Sequence, residues 1–211
     1  VRVAEALGAP VYSTLYSEMN FPSRHPLYKG PLLWGFPKGK EALAYADAVI
    51  AVGNTFSGYF FFPDEGASSF APGTKVVHMD ASSVEVGKSE PTNVGIIADP
   101  KIGLAQLAEA LDGAMSGIAQ EEAKGRAETV AGETAAARSA WEARIKERWD
   151  ISPMSAERMM AEVAAVIPDD TVIVDDSVTT RAAVVGAIEF NRPGQVFGER
   201  GGAIGWGIGG G

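Results

Sequence analysis

Three stretches of this sequence hold side chains that can do chemistry. The first is Phe21-Pro22-Ser23-Arg24-His25-Pro26-Leu27-Tyr28-Lys29-Gly30, which presents a histidine among prolines. Proline stiffens the backbone around it, and imidazole is the side chain best matched to proton transfer near neutral pH, so His25 is a candidate acid/base. A loop histidine bonded to backbone is the competing reading. The second is Asp175-Asp176-Ser177-Val178-Thr179-Thr180, where an apolar run ends in carboxylates and hydroxyls. In open parallel sheets ligands sit beyond the carboxyl ends of strands, and hydroxyls with N–H groups at a helix start suit a phosphate. Two carboxylates repel an unaccompanied phosphate, so that ligand would need a cation; the competing reading is that Asp176 or Ser177 caps the helix. The third is Gly198 to Gly211, where glycine lets backbone approach a ligand closely. Within it, Gly205-Trp206-Gly207-Ile208-Gly209-Gly210 has G-x-G-x-x-G spacing but lacks the acidic residue and crossover strand of a dinucleotide site. Asn54-Thr55-Phe56-Ser57-Gly58, after a strand, reads as a nucleotide contact or an ordinary turn.

The elements that must position these residues follow an α/β rhythm. Val1 to Leu7 reads as a helix stopped by Gly8, and Pro10 to Thr14 as a short strand. Tyr16 to Lys38 is rich in proline and aromatics without a period, a long loop of the functional kind. Lys40 to Asp47 reads as a short helix. Ala48 to Gly53, Lys75 to Asp80 and Val94 to Pro100 are continuous apolar strands of the type buried on both faces of a parallel sheet, and a helix over Lys101 to Leu111 follows. His78, inside the second of these strands, reads as a core residue. Asp112 to Asp150 is rich in Ala, Glu, Lys and Arg with no apolar stripe before Trp141, Ile145 and Trp149, which predicts a solvent-facing helical connection. A helix capped by Ser152 or Ser155 then runs to Ile167, Thr171 to Asp176 is a further strand, Ser177 to Phe190 its helix, and Gln195 to Phe197 a last strand. The class is α/β: a parallel sheet with helices on both faces, then the first βα elements of a second α/β domain.

Composition narrows the partners. With 211 residues, 46% hydrophobic and 21% charged, the chain can bury a sizeable core. A net charge of −9 without a Lys/Arg cluster argues against nucleic acid or an anionic membrane surface. The absence of cysteine excludes disulfides and thiolate metal sites.

Together, Ser23-Arg24-His25-Pro26 with Gly30, Asp175-Asp176-Ser177 with Thr179-Thr180, and Gly201-Gly202-Ala203-Ile204-Gly205-Trp206-Gly207 resemble the thiamine diphosphate-dependent decarboxylase and carboligase family, above all its benzoylformate decarboxylase branch. The resemblance implies that residues 1–112 are the family's central domain, 113–152 a helical linker and 153–211 the beginning of its diphosphate-binding domain. It implies thiamine diphosphate and Mg²⁺ as cofactors, a 2-oxo acid as substrate, a homo-oligomer (dimer or tetramer) and a cytoplasmic location. By similarity His25 assists proton steps, and Asp175, Ser177, Thr179 and Thr180 contact the diphosphate. The Gly202 carbonyl accepts a hydrogen bond from the cofactor's amino group, and Ile204 is the apolar wedge under its bent form. No residue here matches the family's metal motif or its activating glutamate, so the chain is expected to be a fragment, inactive by itself. Asp175 stands where relatives often carry a neutral side chain, and Val178 removes a hydroxyl. Two alternatives stay open: an acetolactate synthase or oxalyl-coenzyme A decarboxylase relative with a nucleotide-binding central domain, and a non-enzymatic α/β nucleotide-binding or assembly module.

Overall fold

Aliphatic, β-branched runs alternate with alanine-rich segments, and the backbone follows that alternation. The computed structural model describes residues 1–14, 20–32, 36–53, 68, 70–198, 205 and 207–210. In chain order the elements are α1 (Arg2–Leu7), β1 (Val11–Thr14), β2 (Tyr28–Leu32), α2 (Pro37–Leu43), β3 (Ala48–Val52), β4 (Lys75–Asp80) and β5 (Val94–Ile97). Then come α3 (Pro100–Ala114), α4 (Gly117–Glu147), α5 (Ala156–Val166), β6 (Ile173–Asp175), α6 (Arg181–Ala187), β7 (Val196–Gly198) and α7 (Gly207–Gly210). They fall into two compact units, one of residues 1, 3–30 and 117–211, the other of residues 2 and 31–116. Among the described residues no helix is long and apolar enough to cross a membrane.

The unit of residues 31–116 is built on a parallel sheet in the order β3-β4-β5, with Ala51 opposite His78 and Met79 opposite Ile96. The central strand is apolar at consecutive positions because both of its faces are covered: Val76, His78 and Met79 are almost wholly buried. His78 is the core residue its position predicts, its Nδ1 accepting the Gly87 N–H at 3.2 Å. Asp99 starts α3 by accepting the N–H groups of Lys101 and Ile102 at 2.9 and 3.1 Å, and Pro100 presets the first helical turn. Gly103 brings α3 close, since a Cβ there would lie 2.7 Å from the Met79 sulfur. Helix α2 begins at Pro37, ahead of the expected Lys40, for the same reason that proline opens α3.

The other unit contains the candidate residues. A strand, β2, lies inside the stretch expected to be irregular throughout; it pairs with β1, and Val11 N–H donates to the Leu27 carbonyl at 2.8 Å. Strands β6 and β7 pair in parallel, Asp175 opposite Gly198. Val184, Ile188, Phe190 and Val196 form their core, with Met160, Ala164, Ile167 and Ile173 packed around it. Ser155, one of the two expected caps, accepts the Arg158 N–H at 3.1 Å and starts α5.

The alanine-rich stretch forms α4, a helix of 31 residues with Ala123 and Thr134 buried and no apolar stripe. Ala123 abuts Gly8, Trp141 abuts Gly186, and Arg126 donates to the Leu7 carbonyl at 2.8 Å. It is the largely solvent-facing helix the sequence predicts, with only Ala123 and Thr134 buried along it, and those few contacts attach it to this unit. Gly8 ends α1 at φ +58°, in the left-handed region, and a Cβ on it would lie 1.8 Å from the Ala123 carbonyl oxygen. Gly8→Ala is expected to cost about 2–4 kcal/mol from backbone strain plus overpacking. Gly132→Ala, on α4 with nothing within 4 Å of the added carbon, is expected to gain about 0.5–1 kcal/mol. Thermal denaturation of the two variants checks both signs.

Candidate functional site

Strand β6 ends in a buried carboxylate. Asp175 is 5% exposed, and its Oδ2 accepts from Arg181 Nη1 at 2.8 Å. Its Oδ1 accepts from the Ser177 N–H at 2.9 Å and the Ser177 hydroxyl at 2.5 Å. Room for the guanidinium comes from Gly198 on the paired strand, where a Cβ would sit 2.9 Å from Arg181 Nη2. Tyr28 lies within reach of the same charge. Burial pushes its phenol above the usual range, while the Ser13 hydroxyl at 2.8 Å and the Arg181 charge pull the other way.

This carboxylate decides where α6 starts. A helix from Ser177 was expected, but Asp175 draws both the amide and the hydroxyl of Ser177 back onto itself in a tight turn, and the helix begins four residues later at Arg181. Neither Asp176 nor Ser177 caps it; Thr180 precedes it without a side-chain cap bond.

Asp176, the neighbouring carboxylate, turns to the glycine-rich end. Its Oδ2 accepts the N–H groups of Gly205 at 2.9 Å and Gly207 at 3.3 Å. The stretches at 175–180 and 205–210 are thus brought together, as α7 and β6 are. Gly202 and Ile204 lie outside the described residues, as does Asn54 to Gly58.

The histidine loop is clasped to the segment that leaves α6. Ser23 N–H donates to the Phe190 carbonyl at 2.8 Å, Phe190 N–H donates to the Ser23 hydroxyl oxygen at 2.9 Å, and Arg24 Nε meets Glu189 Oε1 at 2.8 Å. His25 Nδ1 accepts the Leu27 N–H at 3.2 Å, so the neutral ring carries its proton on Nε2, which faces Glu5 Oε1 at 3.3 Å. Phe21 packs edge-on against the imidazole at 4.9 Å between centroids. His25 thus has the backbone bond of the competing reading on one nitrogen and a carboxylate partner on the other, the second being what a proton-transfer residue needs.

Of the expected diphosphate contacts, Asp175 and Ser177 are committed to each other, whereas Thr179 is exposed and Thr180 half-buried, their hydroxyls bonded to no described residue. The Asp175 charge is compensated by Arg181, which lessens the repulsion two bare carboxylates would exert on a phosphate. Among the described residues no three acidic or histidine side chains gather to hold a metal ion. Sequence reasoning missed Arg181, Asp176 and Glu5 as partners. An arginine six residues after a strand-end aspartate was the available signal for the first; Glu5, twenty residues from His25, offered none.

Compared with known proteins, the chain matches the profile of the thiamine pyrophosphate enzyme central domain over residues 1–107. It is 26% identical to a sulfoacetaldehyde acetyltransferase of Castellaniella defragrans, over 97% of this chain and 36% of that protein. It is 35% identical to the acetolactate synthase large subunit of Corynebacterium glutamicum, over 50% of this chain and 17% of that protein. Among solved structures it superposes on a thiamin diphosphate-dependent enzyme from Mycobacterium smegmatis with a TM-score of 0.72 at 24% identity, covering 98% of this chain and 36% of that one. The 4-hydroxybenzoylformate decarboxylase of Rhodococcus jostii gives 0.65 at 19% identity, over 93% and 33%. These two structures bear on the fold, which they share. The chain spans about a third or less of the length of these proteins.

The buried pair can be tested directly. Arg181→Met leaves the Asp175 charge with Ser177 alone and is expected to cost about 3–5 kcal/mol, because a buried charge that loses its partner is not rehydrated. Removing both charges as Asp175→Asn/Arg181→Met is expected to recover part of that loss, and denaturant unfolding of the single and double variants measures the coupling.

Proposed function

The chain belongs to the thiamine pyrophosphate enzyme family, and from that premise we propose that it is part of a thiamine diphosphate-dependent enzyme acting on a 2-oxo acid. When bound, thiamine diphosphate with Mg²⁺ supplies the electron sink that decarboxylation of a 2-oxo acid requires. The chain's own residues then bind and move protons. The observation that supports this reading best is the end of β6, where Asp175 is neutralised by Arg181 while Thr179 and Thr180 keep hydroxyls available to a diphosphate. In this proposal residues 153–211 begin the diphosphate-binding domain behind a central domain of residues 1–112 and a helical linker of residues 113–152, and Gly202 and Ile204 contact the cofactor's rings. His25 holds a proton on Nε2, next to Glu5, for delivery to the reacting substrate. A dimer or tetramer in the cytoplasm is part of the same reading.

Two substrate readings divide it. The His25 loop favours decarboxylation to an aldehyde, as in the benzoylformate branch. The similarity to an acetolactate synthase large subunit supports the other reading, in which this chain's central domain would take a nucleotide. Calorimetry of the whole gene product with Mg²⁺-thiamine diphosphate, then with FAD and ADP, separates these readings, alongside analysis of the products from benzoylformate and pyruvate. Absence of any thiamine diphosphate binding would overturn both.

His25→Ala is expected to lower kcat/KM for the preferred 2-oxo acid about 10²–10⁴-fold, with cofactor affinity little changed. An unaltered rate would leave His25 as a loop residue held by Leu27 and Glu5.

A further inference from the structure

Glycine-rich backbone cannot hold itself in place. Glycine has the largest conformational freedom to lose and no side chain to pack, so a stretch such as Gly205 to Gly210 needs an outside tether. The structure supplies one. Gly205 and Gly207, 29 and 31 residues from Asp176, both direct their N–H groups at a single oxygen of that carboxylate, at 2.9 and 3.3 Å. Gly205 sits at φ +88°, a backbone conformation that favours glycine, and a Cβ on Gly207 would lie 2.7 Å from Asp176 Cβ, so the close approach of the two segments requires glycine at 207. The adjacent carboxylate is unavailable for this task, since Asp175 is spent on Arg181 and Ser177.

We infer that Asp176 is a positioning residue: its charged carboxylate holds the amides of Gly205 and Gly207 against the end of β6 and thereby sets how tightly this glycine-rich backbone holds a diphosphate cofactor. Hydrogen bonds to an ionised acceptor are about twice as strong as neutral ones, which is why an aspartate rather than an asparagine suits the place. The cofactor half of this inference rests on the function proposed above; the tether half does not.

The test uses hydrogen–deuterium exchange of the chain and calorimetry of the whole gene product with Mg²⁺-thiamine diphosphate. Asp176→Ala is expected to speed exchange of the amides at 205–210 about tenfold or more, with those of 173–175 and 196–198 unmoved, and to weaken cofactor binding about tenfold. Asp176→Asn is expected to fall between, and Asp176→Glu to recover part of both, which a generally misfolded variant would not do. Unchanged exchange at 205–210 in Asp176→Ala overturns the tether. Faster exchange with unchanged affinity, in a protein whose wild type binds the cofactor, overturns the link to the cofactor. If the wild type binds no thiamine diphosphate, the proposed function fails, and the exchange result alone still decides whether Asp176 holds the glycine stretch.

Discussion

A carboxylate that is 5% exposed at the end of a strand has to be answered by a positive charge, and the geometry of this region follows from how Arg181 answers Asp175. Burying an isolated charge is prohibitive, while a hydrogen-bonded pair is tolerable. Arg181 can reach Asp175 only if the paired strand β7 leaves space, which a glycine at 198 provides. The remaining carboxylate oxygen takes both donors of Ser177, so the chain turns before it winds into α6. One ion pair therefore fixes the residue at 198, the turn at 177 and the first residue of the helix.

The segment between α6 and β7 carries a second consequence. Gln195 is buried, accepts the N–H groups of Asn191 and Arg192 at 2.7 Å each, and donates to the Asp169 carbonyl at 3.0 Å, which locks the approach to β7. Just ahead of that lock, Phe190 exchanges hydrogen bonds with Ser23 on both its amide and its carbonyl. The proline-stiffened loop is thereby anchored two residues before His25. The side chain of Phe190 sits in the apolar core with Val184 and Val196, so the packing that stabilises β6 and β7 also places the imidazole. Fold and site share the same few residues here, and a cavity made in that core would disturb both.

The strands and most helices were legible in the sequence because their signals are local. Continuous apolar runs mark β3, β4 and β6; Gly8, Asp99 with Pro100, and Ser155 mark helix ends by chemistry that acts within a few residues. What was not legible depends on contacts between distant positions. The attachments of α4 were not legible because they join distant positions: the Ala123 backbone comes close to Gly8, and the Trp141 ring lies against Gly186. Strand β2 was hidden among prolines, since pairing with β1 is a property of two segments. The start of α6 was misplaced because a helix propensity reading treats Ser177 as free, whereas Asp175 holds it. At the site, the motif residues were visible but their partners Arg181 and Glu5 were not, for the same reason.

Adjacent positions along an extended strand send side chains to opposite sides, and that alternation gives the two neighbouring aspartates separate tasks. Asp175 meets a guanidinium in the interior, where the cost of burial is met by a full opposite charge. Asp176, half-buried, meets among the described residues the backbone N–H dipoles of Gly205 and Gly207, which stabilise an ion without neutralising it. The pair therefore delivers one compensated and one residual negative charge to the end of β6. An anion arriving beside Thr179 and Thr180 would meet that residual charge, so the diphosphate of the proposed function would bind there more readily with a cation beside it.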